Sequence, residues 1–228
     1  MQHEIIARSA ASAAQIQLAD GETVTCEIGS MIAMSSDINV ETTSFDRGSK
    51  KPGMLKSIKR MFVGESWFLN HFTAIQADQT LLIGPQQLGD IICHPLRTTA
   101  LIVQGGSWLA STDGIEIDAT FQGLGNALFS GEGIFWIKCT GSGDLFLNSF
   151  GAIYEVEVDG EYTVDTGHIV AYEETLEFKV GKSNASVIGS LLGGEGLVCK
   201  FTGSGKLYCQ SHNPQSFGRA LGPKLNPR

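Results

Sequence analysis

The segment GEGIFWIKCTGSG at 131–143 is written again, with few changes, as GEGLVCKFTGSG at 194–205. A chain that repeats itself at this spacing builds its fold from copies of one unit, each too small to bury its apolar face alone. After Gly131-Glu132-Gly133 the residues Ile134 to Thr140 predict a strand, Gly141-Ser142-Gly143 a turn able to supply positive φ, and Asp144 to Phe150 a returning strand, which together read as a hairpin. The second copy repeats the pattern as Leu197 to Thr202, Gly203-Ser204-Gly205 and Lys206 to Gln210. Short apolar segments precede both, FQGLGNALF at 121–129 and SVIGSLL at 186–192. A third copy follows from MLKSIKRMFV at 54–63, then Gly64-Glu65-Ser66 and WFLNHFTA. FLN at 68–70 also matches FLN at 146–148, so the register within this copy stays open.

Upstream, Gly29-Ser30-Met31-Ile32-Ala33 matches Gly106-Ser107-Trp108-Leu109-Ala110 and Gly167-His168-Ile169-Val170-Ala171, each a glycine turn leading into a strand. The unit recurs three times at roughly 60–75 residues, with pseudo-repeats near 20–90, 91–160 and 161–212 and a Pro- and Gly-rich tail at 213–228. Its length of 228 residues suits a single domain, 1–228. Runs such as TLLIG and YEVEVDGEYTV have the β-branched or alternating character of strands, and 28 glycines against 6 prolines point to many tight turns. The expected class is all-β: a sandwich or triangular barrel of three pseudo-repeats around a shared core, with short helices.

Charge narrows the partners. Sixteen Lys and Arg against 24 Asp and Glu leave a net charge of −8, which repels a phosphate backbone and disfavours nucleic acid. The five cysteines, Cys26, Cys93, Cys139, Cys199 and Cys209, form no C-x-x-C pair and are odd in number, which suits a reducing cytoplasm. Glu4 and Arg8 interrupt the N-terminal stretch where an export signal would be apolar. No run of about 18 apolar residues occurs, so no spanning helix is expected; the chain reads as cytoplasmic, soluble or membrane-peripheral.

Motifs for chemistry are sparse. Gly181-Lys182-Ser183 resembles the end of a phosphate loop, but Leu176 stands where that loop needs glycine. No G-x-S-x-G occurs. Adjacent Cys93 and His94 on a strand point to opposite faces, giving a core thiol and a surface imidazole instead of a nucleophile and its base. His3, His71, His94, His168 and His212 are scattered without metal-ligand spacing, so no metal, cofactor or catalytic residue is assigned. Glu65, Glu132 and Glu195 recur with the repeat. They read as structural acids, with the alternative that they converge on a pseudo-threefold axis and draw in a cation.

One surface element stands out. Arg47, Lys50, Lys51, Lys56, Lys59 and Arg60 place six of the sixteen basic residues in one short stretch without an acid. Met54, Leu55, Ile58, Met61 and Phe62 would line one face of a short helix there, leaving the cations to meet an anionic membrane surface; the plainer reading is that the apolar face covers the end of the sandwich.

The segments HEI, GETVTCEIGSMIAM, GESWFLNHFTA, LGDI, LFSGEGIFWIKCTGSGDLFLNSFGAIYEVEVDGEYTVDTGHIVAYEE and GEGLVCKFTGSGKLYCQSHNP together resemble bacterial members of the altered inheritance of mitochondria protein 24 family, from His3 to about Leu221. The resemblance implies a β-sandwich similar to the tryptophan RNA-binding attenuation protein fold, a tendency to homo-oligomerise, no enzymatic activity and no catalytic residues. Mitochondrial relatives are linked to inner-membrane organisation, which implies scaffolding at a membrane or in a protein complex. The expected function is a non-enzymatic, homo-oligomeric binding or scaffolding module. The alternatives are a small-ligand or metal-dependent enzyme using the three glutamates, and RNA binding by fold analogy.

Overall fold

The computed structural model describes residues 1–9, 11–46, 66–118, 136–182 and 197–225. Seventeen strands are among them. In the N-terminal part lie β1 (Gln2–Ile6), β2 (Ala13–Leu18), β3 (Thr23–Glu27), β4 (Met31–Met34), β5 (Ile38–Asp46), β6 (Ser66–Ala74) and β7 (Gln79–Ile83). The middle contributes β8 (Ile91–Leu96), β9 (Leu101–Gln104), β10 (Trp108–Thr112), β11 (Ile115–Asp118), β12 (Trp136–Gly141) and β13 (Gly143–Asn148). The last part holds β14 (Ile153–Asp165), β15 (Ile169–Glu173), β16 (Glu177–Lys182), β17 (Leu197–Gln210) and one helix, α1 (Pro214–Leu221). The all-β class with short helices is what the fold shows. Its sequence basis is plain in β2, AAQIQL, where every second side chain is buried, and in β7, QTLLI, which does the same.

The strands form three antiparallel sheets in the orders β1-β2-β7-β4, β5-β6-β3-β10-β13-β8 and β11-β12-β9-β15-β17-β14, with β16 also on β17. One set of pairings is made three times. In the first set β7 lies between β2 and β4, and β6 between β3 and β5. In the second β13 lies between β8 and β10, and β12 between β9 and β11. In the third the long β17 does both jobs: its second half lies between β14 and β15, its first half between β14 and β16. Even the irregularity recurs, a register shift at Met31/Ala33, at Trp108/Ala110 and at Ile169/Ala171. The sets are joined through β3 on β10 and β9 on β15.

Two expectations are corrected. The Gly-Ser-Gly turns do not close hairpins: β12 and β13 flank Ser142 but belong to different sheets, and in the third set β17 runs through Gly203-Ser204-Gly205 as one strand. Glycine is needed there because another turn crosses the corner. Gly141 has φ +99°, and a Cβ on it would sit 2.0 Å from the carbonyl oxygen of Gly114. The positive φ thus bends the chain from one sheet into the next. The second correction concerns the expected tail, where α1 forms instead. Asn213 caps it by accepting from the backbone N–H of Gln215 (2.9 Å) and Ser216 (3.2 Å), Pro214 opens it, and Phe217 rests on Phe150 with ring centroids 5.3 Å apart.

The buried apolar side chains gather in three clusters. One holds Ile16, Val24, Phe72, Leu81, Ile83 and Phe146; a second surrounds Trp108 with Leu101, Val103, Leu145 and Val170; the third packs Tyr172, Phe201, Leu207 and Trp136. At roughly 1.5–3 kcal/mol for each fully buried large side chain, these clusters hold the sheets together. A buried carboxylate fastens the connection between β1 and β2. Asp90 accepts from Arg8 Nε (3.2 Å) and an Arg8 terminal nitrogen (3.0 Å), from Ser12 Oγ (2.8 Å) and from the Ile91 N–H (2.9 Å). Burial alone would raise its pKa, but those hydrogen bonds hold it below the usual aspartate value.

Candidate functional site

The residues that the sequence singled out, Glu65, Glu132 and Glu195 with Arg47, Lys50, Lys51, Lys56, Lys59 and Arg60, lie outside the described residues. The strands that flank them are described, and Asp46 pairs with Ser66. Cys93 and His94 do face opposite sides of β8, as strand geometry requires. Cys93 packs against the first core cluster, and burial pushes its thiol up to about 12. His94 is half-buried, not a surface residue, because a tyrosine from the far end of the chain covers it.

That contact belongs to a cleft of about 460 Å³ between β8, the last strand of one sheet, and β14, the last strand of the next. His94 Nδ1 lies 2.9 Å from the Tyr208 hydroxyl, and the two rings meet edge to face at 5.5 Å. Lys206 donates through Nζ to Glu155 (2.8 Å) and through its backbone N–H to Glu173 (2.8 Å). Desolvation lowers the pKa of His94 and raises that of Tyr208, which makes the imidazole a weaker base and the phenol a weaker acid. Lys206 keeps Glu155 ionised below the usual glutamate range. The arrangement offers hydrogen bonds to a small polar group, with its charges already paired. Sequence reasoning missed Tyr208, Glu155 and Lys206, and no local signal marks them, since His94 and Tyr208 are 114 residues apart.

On the other face of β8, His3, Cys93 and Asp144 bring one imidazole nitrogen, one thiol and one carboxylate oxygen within 4.8 Å of one another. This donor set suits a borderline divalent cation, which would have to displace a proton from a thiol held at about 12.

The largest departure among the three pairing sets is at their two ends. β10 and β15 occupy equivalent places and are almost wholly buried: Trp108 and Leu109 are 0% exposed, Ile169 1% and Val170 0%. Their counterpart β4 carries Met31 at 43%, Ile32 at 56% and Met34 at 41%. The neighbours differ as well. β10 lies against β3 and β15 against β9, whereas among the described residues no strand lies on the outer edge of β4. At the opposite end, the second half of β14 corresponds to β3 and β9, and its outer edge likewise has no strand on it; Tyr162 there is 41% exposed. A signal for this was in the sequence, since MIAM, WLAS and IVAY align on their preceding glycines, but alignment alone does not say which copy lacks a neighbour.

Residues 3–212 match the family described as Mitochondrial biogenesis AIM24. The chain belongs to this family. An uncharacterized protein of Streptococcus pyogenes serotype M6 is 30% identical over 210 residues, which is 91% of this chain and 84% of the relative. An X-ray crystal structure of a Streptococcus pyogenes protein superposes with a TM-score of 0.78 at 26% identity, covering 98% of this chain and 99% of that one. The matched AIM24 region takes in the seventeen described strands except for Gln2 at the start of β1 and stops at His212, so α1 lies beyond it. Among the described residues no helix is long and apolar enough to cross a membrane.

Proposed function

We propose that this AIM24-family chain is a non-enzymatic scaffolding module that works by associating with copies of itself. The observation that carries this reading is the pair of strand edges, β4 and the second half of β14, that leave apolar side chains in solvent where their counterparts are paired and buried. An exposed apolar edge is a template for another chain, and a scaffold uses it where other proteins block it with charge. The recurring pairings support reading the chain as three internal copies of one unit in one domain. The non-enzymatic part is supported by the cleft, whose imidazole and phenol are both shifted away from easy proton transfer. Five free cysteines suit a reducing compartment such as the cytoplasm.

Light scattering coupled to gel filtration is the direct test: at micromolar concentration the mass should be a multiple of the 24.4 kDa chain. A single-chain mass at all concentrations would remove this function. A second reading concerns the basic segment. Arg47, Lys50, Lys51, Lys56, Lys59 and Arg60 sit together on a chain of net charge −8, and we assign them contact with an anionic membrane surface, which self-association would multiply.

A further inference from the structure

Resting on the self-association reading above, we infer that β4 of one copy adds to the second half of β14 of the next, antiparallel, with Ala33 opposite Val164, Met34 opposite Thr163 and Ser35 opposite Tyr162. The register comes from the two joints already made inside the chain. At the first, Ala110 pairs with Cys26, Ser111 with Thr25 and Thr112 with Val24. At the second, Ala171 pairs with Val103, Tyr172 with Ile102 and Glu173 with Leu101. The shared register shift fixes the correspondence on one side, because it falls immediately before Ala33, Ala110 and Ala171 alike. On the other side, the turn before β4, β10 or β15 follows Glu27, Gln104 and Asp165, which makes Cys26, Val103 and Val164 equivalent. Carrying the same offset to the two open edges yields the three pairs above.

The side chains on these edges fit that partner. β4 presents Met31, Ile32 and Met34, and β14 presents Tyr162, so joining them removes apolar surface from water and pairs backbone groups that now face solvent. The joined strands would continue β16-β17-β14 into β4-β7-β2, the six-strand order that β5-β6-β3-β10-β13-β8 already has within one chain. The contact is heterologous: each copy offers one β4 edge and one β14 edge. It therefore closes into a ring or extends into a filament, according to the rotation between copies.

The experiment mixes two single variants, so that any product must join different chains. Met34→Cys protein is mixed with Thr163→Cys protein under mild oxidation, beside a mixture of Met34→Cys with Tyr162→Cys and wild type treated alike to measure the background from the native thiols. Directly opposed Cα atoms of an antiparallel ladder are roughly 4.5–5.5 Å apart, inside disulfide reach. A shift of one residue turns the second cysteine to the other face of the sheet. The expected result is a two-chain product in the first mixture, at least about fivefold above both controls. An oligomer by light scattering with no cross-link above background, or with the shifted pair linking better, overturns this register and leaves self-association by another surface. A protein that stays a single chain overturns both.

Discussion

Glu27 closes β3 at the turn that precedes β4, and burial pushes its carboxyl from 4.5 up to about 7. Raised folded pKa means that the folded state holds its proton more tightly than the unfolded chain does. Below about pH 4.5 both states are protonated and the group costs nothing; between 4.5 and 7 the cost grows, and above 7 it is complete. Glu27→Gln should therefore leave stability unchanged at pH 4 and raise it at pH 8 by up to about 3 kcal/mol. Urea unfolding at the two pH values measures this. Equal effects at both would place the carboxylate in solvent, and a loss of stability confined to pH 8 would place it in an ion pair. Asp90 behaves oppositely: its depressed pKa contributes stability above its unfolded value of 3.8, and that contribution is lost as pH falls through the lower folded value.

At the scale of elements, strands in equivalent places of the pairing order take opposite environments. WLAST in β10 and MIAM in β4 follow connections of equal length and have matching bulges and matching pairings on one side, but differ in the strand on the other. A charge on the open edge of β4 should thus block association while leaving the fold alone. Met34→Lys is expected to shift the mass from oligomer to single chain with unchanged far-ultraviolet circular dichroism, because the side chain is 41% exposed in the isolated chain. Ser111→Lys, at the equivalent buried position of β10, should instead destabilise by several kcal/mol, roughly 3 or more, since an unpaired ammonium would be buried there. An oligomer that survives Met34→Lys unchanged would exclude the β4 edge.

Over the whole molecule, charge is distributed against the mean. The net −8 opposes an anionic surface, while six of the sixteen basic residues lie within 47–60. At about 1 kcal/mol for each basic residue near a charged bilayer, a single copy binds weakly and an assembly of several binds appreciably. Co-sedimentation with vesicles containing phosphatidylserine should exceed that with neutral phosphatidylcholine vesicles and fall as salt is raised. Replacing Lys56, Lys59 and Arg60 together by Glu should abolish the difference. Equal sedimentation of the folded variant and wild type would leave the segment without a membrane role.

The sequence by itself determined the strand-rich class, the glycine turns and the correspondence among MIAM, WLAS and IVAY, because alternation and turn chemistry are local properties written every few residues. It also placed Cys93 and His94 on opposite faces, which follows from strand geometry alone. Sheet membership was not local. Gly141-Ser142-Gly143 has the composition of a hairpin turn, and only the carbonyl of Gly114 lying across it made it a corner between sheets. Tyr208 met His94 for the same kind of reason, through a pairing order that brings β8 and β14 side by side across a cleft. Which of the equivalent strands are covered was decided by tertiary structure too: a strand's sequence sets the edge it offers, but its neighbour comes from the fold, and on the outer edges of β4 and of the second half of β14 the fold of one chain provides none among the described residues.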